Sequence, residues 1–274
     1  MKKITSGLIG VLALMLVAGG AAEATRGPQG VTYSAHNLSM SADPDWPTYV
    51  SDNETQVCVF CHTPHGGTLD GPLWNRESPG TIYTHYNSAS LSSYLRALSI
   101  NRSVSKESLL CLSCHDGSIA INSLVNYSNS LVNENNEPVL PTHNGGRSVE
   151  IPIMFTTDPD LPPNPGPQIG ASRENPDAHG DLSDDHPISF SYSSVYSAKA
   201  EEFKTVSAAE INGVRFFGTE NRVECSSCHD PHVMYDQNYT LSNGDLVVGA
   251  DPDYTPFLIT PNEGSALCLA CHDK

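Results

Sequence analysis

Residues 58–65 read Cys-Val-Phe-Cys-His-Thr-Pro-His. Two thiols that are separated by two residues can add to the two vinyl groups of one haem, and a histidine directly after the second thiol can then ligate the iron. A further histidine, His65, follows three residues later. The segment therefore predicts a covalent haem site, and much of the chain repeats it.

All eight cysteines occur in Cys-x-x-Cys pairs, and each pair is followed at once by histidine. Paired cysteines in other settings indicate disulfides or structural zinc, but a histidine after every pair favours haem. We name these segments box 1 (58–65), box 2 (111–115), box 3 (225–232) and box 4 (268–272). They predict four haem c groups, held through thioethers and ligated on the proximal side by the following residues: Cys58, Cys61, His62; Cys111, Cys114, His115; Cys225, Cys228, His229; Cys268, Cys271, His272.

The four boxes form a duplicated pattern. Residues 36–41, His-Asn-Leu-Ser-Met-Ser, match residues 186–191, His-Pro-Ile-Ser-Phe-Ser, and box 1 matches box 3 as Cys-x-x-Cys-His-x-Pro-His. Residues 108–116 around box 2 likewise match residues 265–273 around box 4. We expect two dihaem modules, over 25–145 and over 146–274, the second beginning with a Pro-rich connection. The two modules could also form one compact unit.

The sixth ligand of each iron decides the chemistry, because an open position permits catalysis and a second strong ligand leaves electron transfer. Seven histidines remain after the proximal four, and the repeat matches His36 with His186 and His65 with His232. These four are the predicted distal ligands. Because His65 and His232 are too close in sequence to His62 and His229 to reach round the same ring, they should serve neighbouring irons. The unmatched histidines are alternatives to any of the four: His85, His143 and His179.

Residues 1–24 carry the signals of a cleaved secretory peptide. Two lysines precede an apolar run over about 8–18, and Ala-Glu-Ala ends at Ala24. That run is shorter than the roughly 20 residues that a membrane-spanning helix needs. With a formal net charge of −17, the chain is a poor partner for nucleic acid, which requires clustered Lys and Arg. We expect an exported protein without a membrane span.

The fold class expected from the pattern is mostly irregular coil with short α-helices around the boxes. Apolar spacing predicts one helix over 88–100 and another over 105–115 that ends at Gly117. Six prolines between Pro152 and Pro167 predict an extended connection. With about 62 residues per haem, the haems should form much of the core.

These motifs resemble those of exported multihaem c-type cytochromes of metal-reducing bacteria. The segments Cys-Val-Phe-Cys-His-Thr-Pro-His, Cys-Leu-Ser-Cys-His-Asp-Gly, Asp-His-Pro-Ile-Ser-Phe and Val-Glu-Cys-Ser-Ser-Cys-His-Asp-Pro-His are most similar to the tetrahaem OmcE-like group, whose members polymerise into extracellular filaments. The resemblance implies bis-histidine ligation of all four irons. In such filaments a histidine near the mature N-terminus coordinates a haem of the adjoining subunit, and His36 is the matching position.

The expected function is long-range electron transfer through closely stacked haems, at the cell surface or outside the cell, toward redox proteins or extracellular acceptors. It requires no bond-making step, so the chain is expected to be an electron carrier rather than an enzyme. A monomeric periplasmic shuttle is one alternative. A multihaem reductase of a nitrogen or sulfur oxyanion is the other, and it would need an accessible iron.

Overall fold

Regular secondary structure is short and scattered in the computed structural model. The structure describes residues 28–41, 49–51, 54–67, 71, 73–89, 91, 96–97, 102–119, 124–126, 142–143, 169, 179–233, 239–240, 246–247, 254 and 256–273. The α-helices are Pro28–Thr32, Lys106–His115, Tyr192–Ala198, Val206–Ile211 and Ala266–Cys271. Single 3-10 turns cover Val57–Phe60, Cys225–Ser227 and Glu263–Ser265.

The helix Lys106–His115 confirms the helix that the sequence predicts over 105–115. Ser105 precedes it in an extended conformation, and Glu107 in the first turn interacts favourably with the positive end of the helix dipole. Gly117 follows its end with φ +73°, a left-handed conformation that glycine adopts without steric cost. The second box thus lies on a ten-residue helix.

The other sequence-predicted segments lie largely or wholly outside the described residues. Within the helix predicted over 88–100, residues 96 and 97 are helical, whereas residues 88, 89 and 91 are not, so the predicted start is wrong. Most of the remaining positions in that range are not described. The predicted signal peptide and the Pro-rich tract over 152–167 also fall outside the described part of the chain.

Within the described residues, four two-residue strand pairs connect segments of the chain. Thr84–His85 runs parallel to Asp181–Leu182 and joins the two halves of the sequence. The antiparallel pairs are Tyr49–Val50 with Thr142–His143, Phe190–Ser191 with Arg222–Val223, and Tyr239–Thr240 with Leu246–Val247.

Buried apolar side chains in the described residues form four small clusters, and each lies beside a different box. Phe60 of box 1 packs with Leu124, and Leu112 of box 2 packs with Val104 and Leu182. Val233, directly after box 3, packs with Tyr254. Ala270 of box 4 packs with Ala209 and Val214. The apolar interior is therefore distributed among the boxes.

A search of the described residues for long apolar helices found none that could cross a membrane.

Candidate haem sites

Boxes 1 and 3 share one backbone framework. In each, the amide of the second cysteine donates a hydrogen bond to the carbonyl of the first at 3.2 Å. The amide of the next histidine donates to the same carbonyl, at 2.8 Å for His62 and 3.0 Å for His229. These bonds close a tight turn that fixes both thiols and the imidazole in one local unit.

A second segment pairs with each of these two boxes in the same way. Leu73 accepts a hydrogen bond from the Thr63 amide at 2.8 Å, and Phe257 accepts one from the Asp230 amide at 2.7 Å. Both accepting residues are left-handed, with φ +54° at Leu73 and +57° at Phe257. In sequence the two segments share only a short pattern, a proline followed by two large apolar residues, which reads Pro-Leu-Trp at 72–74 and Pro-Phe-Leu at 256–258.

Boxes 2 and 4 instead lie on α-helices, Lys106–His115 and Ala266–Cys271. Behind box 2, the buried Asp116 accepts hydrogen bonds from the Thr81 hydroxyl at 2.9 Å and the Tyr83 hydroxyl at 2.7 Å. Burial raises the pKa of Tyr83, and the bond to Asp116 raises it further. Behind box 4, the ring of His272 packs against Phe203 with 4.9 Å between ring centres.

The thiols of successive boxes lie near one another. Burial, and after it the nearby Cys114 of box 2, raise the pKa of Cys61 in box 1 to about 12. The Cys111 and Cys225 thiols share a hydrogen bond, which raises the pKa of Cys111 and lowers that of Cys225. Burial and then Cys271 of box 4 raise the pKa of Cys228 to about 12. Box 2 is thus close to boxes 1 and 3, and box 3 is close to box 4.

Two of the proximal histidines face histidines from other parts of the chain. The rings of His62 and His232 are nearly parallel, at 22°, with 6.4 Å between their centres. The rings of His115 and His36 are 6.0 Å apart at 71°. Because a ligating imidazole nitrogen lies about 2 Å from its metal, two imidazoles on opposite sides of one ion have ring centres roughly 6 Å apart. Both pairs therefore have the spacing that a shared iron requires.

His36 is held in the neutral form that ligates metals. Burial, and after it the nearby His115 and His232, lower its pKa to about 3. Its Nδ1 atom is buried without a hydrogen-bond partner in the described part of the chain, and Phe257 packs on the ring at 4.4 Å. The structure therefore turns His36 toward His115 of its own chain. The sequence resemblance had matched it to a ligand for an adjoining subunit.

His186 and His229 at box 3 are also neighbours. Desolvation lowers the pKa of His186, and the charge of His229 lowers it further. The Nδ1 atom of His229 donates to the Pro256 carbonyl at 2.8 Å, and that of His186 donates to the Pro187 carbonyl at 2.9 Å. A histidine bonded in this way presents its Nε2 lone pair to a metal. Both imidazoles are thus in the tautomer that iron ligation through Nε2 needs.

His65 and His232 occupy equivalent repeat positions but have different surroundings. His232 donates from Nδ1 to Asp230 Oδ1 at 2.9 Å, and this bond raises the pKa of His232 and lowers that of Asp230. Box 1 has Thr63 at the position of Asp230, and its hydroxyl donates to the His65 carbonyl at 2.9 Å. His65 itself is exposed. The structure brings His232 to a proximal histidine and leaves His65 at the surface.

The unmatched histidines have other contacts. His85 is buried, and its Nε2 atom donates to the Arg102 carbonyl at 2.8 Å. His179 donates from Nδ1 to the Asp116 carbonyl at 3.1 Å. The backbone of His143 pairs with Tyr49. Burial lowers the pKa of His85, so this side chain is a neutral, hydrogen-bonded group of the interior.

Glu224 is a site residue that the sequence analysis missed. Its buried carboxylate accepts hydrogen bonds from the hydroxyls of Ser108 at 2.6 Å and Ser189 at 2.8 Å, and from Arg222 Nε at 3.1 Å. Ser108 Oγ in turn accepts from the Cys225 amide at 3.1 Å. This network ties the helix of box 2 to box 3. A signal existed in the sequence, because the residue before the first cysteine is valine in box 1 and glutamate in box 3.

Arg76 has a comparable role between boxes 1 and 2. Its side chain is buried and donates from Nε and Nη2 to the Ser113 carbonyl at 3.2 and 3.0 Å. Trp74, which pairs with His62, donates from its indole nitrogen to the Ser113 hydroxyl at 3.0 Å. These contacts hold the first two boxes against each other.

The eight cysteines and the histidines beside them are the residues that four haem c groups would need. All eight cysteines are free thiols within the described residues, in pairs beside histidines. Within those same residues, no group of three or more His, Cys, Asp or Glu side chains could hold a bare metal ion. No protein-family model matches the chain, and none of the curated proteins compared with it is significantly similar.

Proposed function

We propose that this chain is a tetrahaem c-type cytochrome that transfers electrons through bis-histidine haems. The observation that carries the proposal is the proximity of His62 to His232 and of His115 to His36, with ring centres 6.4 and 6.0 Å apart. Haem supplies an iron that can be reduced and reoxidised when it is bound. The chain supplies the thiols that attach it and the imidazoles that ligate it.

The proximity of thiols in successive boxes supports electron transfer from one haem to the next. Box 1 adjoins box 2 through Cys61 and Cys114, and box 2 adjoins box 3 through Cys111 and Cys225. Box 3 adjoins box 4 through Cys228 and Cys271. Attachment points at close range bring the cofactors close together, and short separations favour electron hopping.

The surroundings of His36 favour electron transfer over reduction of a bound oxyanion. A reductase needs an iron position that a small substrate can reach. His36 is desolvated, and Phe257 covers its ring. An iron between His36 and His115 would have both axial positions filled by protein, which leaves electron transfer as its chemistry.

Export and polymerisation into a conductive filament are the finer parts of the proposal, and they rest on the sequence. Residues 1–24 have the signals of a secretory peptide, and the motifs resemble those of filament-forming cytochromes. In this proposal His36 serves an iron of its own chain, because its ring faces His115. A contact between subunits would then use other residues.

Production in a bacterium with a cytochrome c maturation system tests the main proposal. We expect four haems per chain by intact mass and by the alkaline pyridine spectrum, and low-spin iron by electron paramagnetic resonance. A chain without covalent haem, or one with mostly high-spin iron, would contradict it.

Electron cryo-microscopy of native extracellular material tests polymerisation. Filaments in which the chain repeats are the expected result. Secreted protein that remains monomeric at all concentrations would favour the shuttle.

A further inference from the structure

The Asp230 carboxylate accepts three hydrogen bonds, two from His232, the last residue of box 3, and one from Arg215. Its Oδ1 atom accepts from the Nδ1 atom and from the amide of His232, both at 2.9 Å. Its Oδ2 atom accepts from Arg215 Nη2 at 2.9 Å. With only 12% of its side chain exposed, Asp230 is held in one orientation between an imidazole and a guanidinium.

The hydrogen bond from His232 Nδ1 to Asp230 affects Nε2, the other nitrogen of the imidazole ring. A carboxylate that accepts from Nδ1 fixes the tautomer and raises the basicity of Nε2, the nitrogen that ligates a metal. The ring of His232 is nearly parallel to that of His62, with 6.4 Å between centres. Asp230 therefore raises the basicity of Nε2 in His232, whose ring lies beside His62 of box 1.

We propose that Asp230 is a positioning residue that orients His232 and strengthens it as the sixth ligand of the iron at box 1, thereby lowering the reduction potential of that haem. This inference rests on the proposed function. A more strongly donating imidazole stabilises the oxidised iron, because the additional electron density offsets its higher charge. Arg215 holds the second oxygen and so keeps the first directed at His232.

A purely structural role for Asp230 makes a different prediction. The carboxylate also caps a short turn, since it accepts from the His232 amide and its own carbonyl accepts from Val233 at 3.0 Å. If capping were its only task, a substitution would reduce stability and leave every reduction potential unchanged. A measurement of potentials therefore separates the two roles.

The experiment compares the holoprotein with its D230N and D230A variants by potentiometric titration and electron paramagnetic resonance. Asparagine retains an acceptor oxygen without the charge, so D230N should keep four low-spin haems and shift one of the four midpoint potentials to a more positive value. D230A should shift the same potential at least as far and add a high-spin fraction. E210Q, which removes a carboxylate from the exposed Glu210, is the matched control and should move none.

The assignment to one haem is tested in a second background. In H232A the imidazole is absent, so adding D230N should produce no additional shift. Unchanged potentials in D230N would overturn the inference, as would an equal shift in the H232A background. Failure of the proposed function is distinguishable, because it would appear in the unsubstituted protein as missing covalent haem or high-spin iron.

Discussion

Boxes 1 and 3 have matching backbone hydrogen bonds, but their final histidines have different environments. Each box closes the same turn and pairs with a left-handed residue, Leu73 or Phe257. His232 is nevertheless fixed by a carboxylate, whereas His65 is exposed beside a threonine. The comparison shows that the backbone turn of the motif and the surroundings of its final histidine vary independently. Under the proposed function, these are the turn that attaches a haem and the contact that orients a distal ligand.

The residues that precede the two boxes differ as well. Glu224 binds box 3 to the helix of box 2 through the Ser108 hydroxyl. Box 1 has Val57 at this position and contacts box 2 through Arg76 and Trp74 instead. Box 3 thus depends on a buried charge for its contact with the other half of the chain.

The largest expected effect comes from His232→Ala. Removal of this imidazole should convert one of the four haems to the high-spin state, because the iron at box 1 loses its sixth ligand. Electron paramagnetic resonance and the visible spectrum measure the change. Retention of four low-spin haems would contradict the pairing of His232 with His62.

His65→Ala is the matched variant for the other copy of the motif. The repeat in the sequence predicts that it too makes one haem high-spin. If the spectrum of His65→Ala stays low-spin while that of His232→Ala changes, the two boxes share a backbone conformation but only His232 ligates an iron.

Glu224→Ala should cost about 3 kcal/mol of stability, since two serine hydroxyls and Arg222 lose a buried acceptor. Glu224→Gln keeps an oxygen acceptor and should cost less. Guanidinium unfolding followed by circular dichroism gives both values. Glu220→Gln, at an exposed position, is the control for removing one negative charge. If Glu220→Gln reduced stability as much as Glu224→Ala, the lost buried acceptor would not explain the effect.

Asp230→Thr gives box 3 the residue that box 1 has, and it should reduce the free energy of unfolding by about 2 kcal/mol at neutral pH. The pKa of Asp230 is lowered in the folded state from an ordinary 3.8. Its contribution is therefore present above pH 3.8 and is lost as the pH falls toward the folded-state value. The difference between the two proteins should shrink below about pH 4, and a difference that grows on acidification would contradict the sign.

The proposed attachment chemistry is a prediction from the sequence, and the sequence suffices for it because it depends on short spacings. Two residues between thiols and a following histidine suffice for a box, and apolar spacing sufficed for the helix Lys106–His115. The distal pairs could not be predicted in the same way, because His62 and His232 are brought together by the tertiary fold. The repeat treated His65 and His232 alike, since it compares residue types and carries no information on where each segment packs.

The residues that distinguish the boxes were nevertheless visible as differences between the aligned copies. Asp230 aligns with Thr63, and Glu224 aligns with Val57. The repeat is defined by the positions at which the two copies match, so positions that differ do not contribute to it. Their meaning depends on partners that are distant in sequence, such as Ser108 for Glu224, so only the folded chain reveals it.

The smallest expected effect concerns the left-handed residues that pair with the two boxes. A bulky residue with positive φ is strained, whereas asparagine tolerates this conformation. Leu73 is 50% exposed, so Leu73→Asn should relieve strain at little packing cost and raise the free energy of unfolding by about 0.5–1 kcal/mol. Phe257→Asn gains the same relief but loses the ring contact with His36 at 4.4 Å, so it should not stabilise the protein. Guanidinium midpoints compare the two variants, and equal shifts would show that Phe257 contributes nothing to the packing of His36.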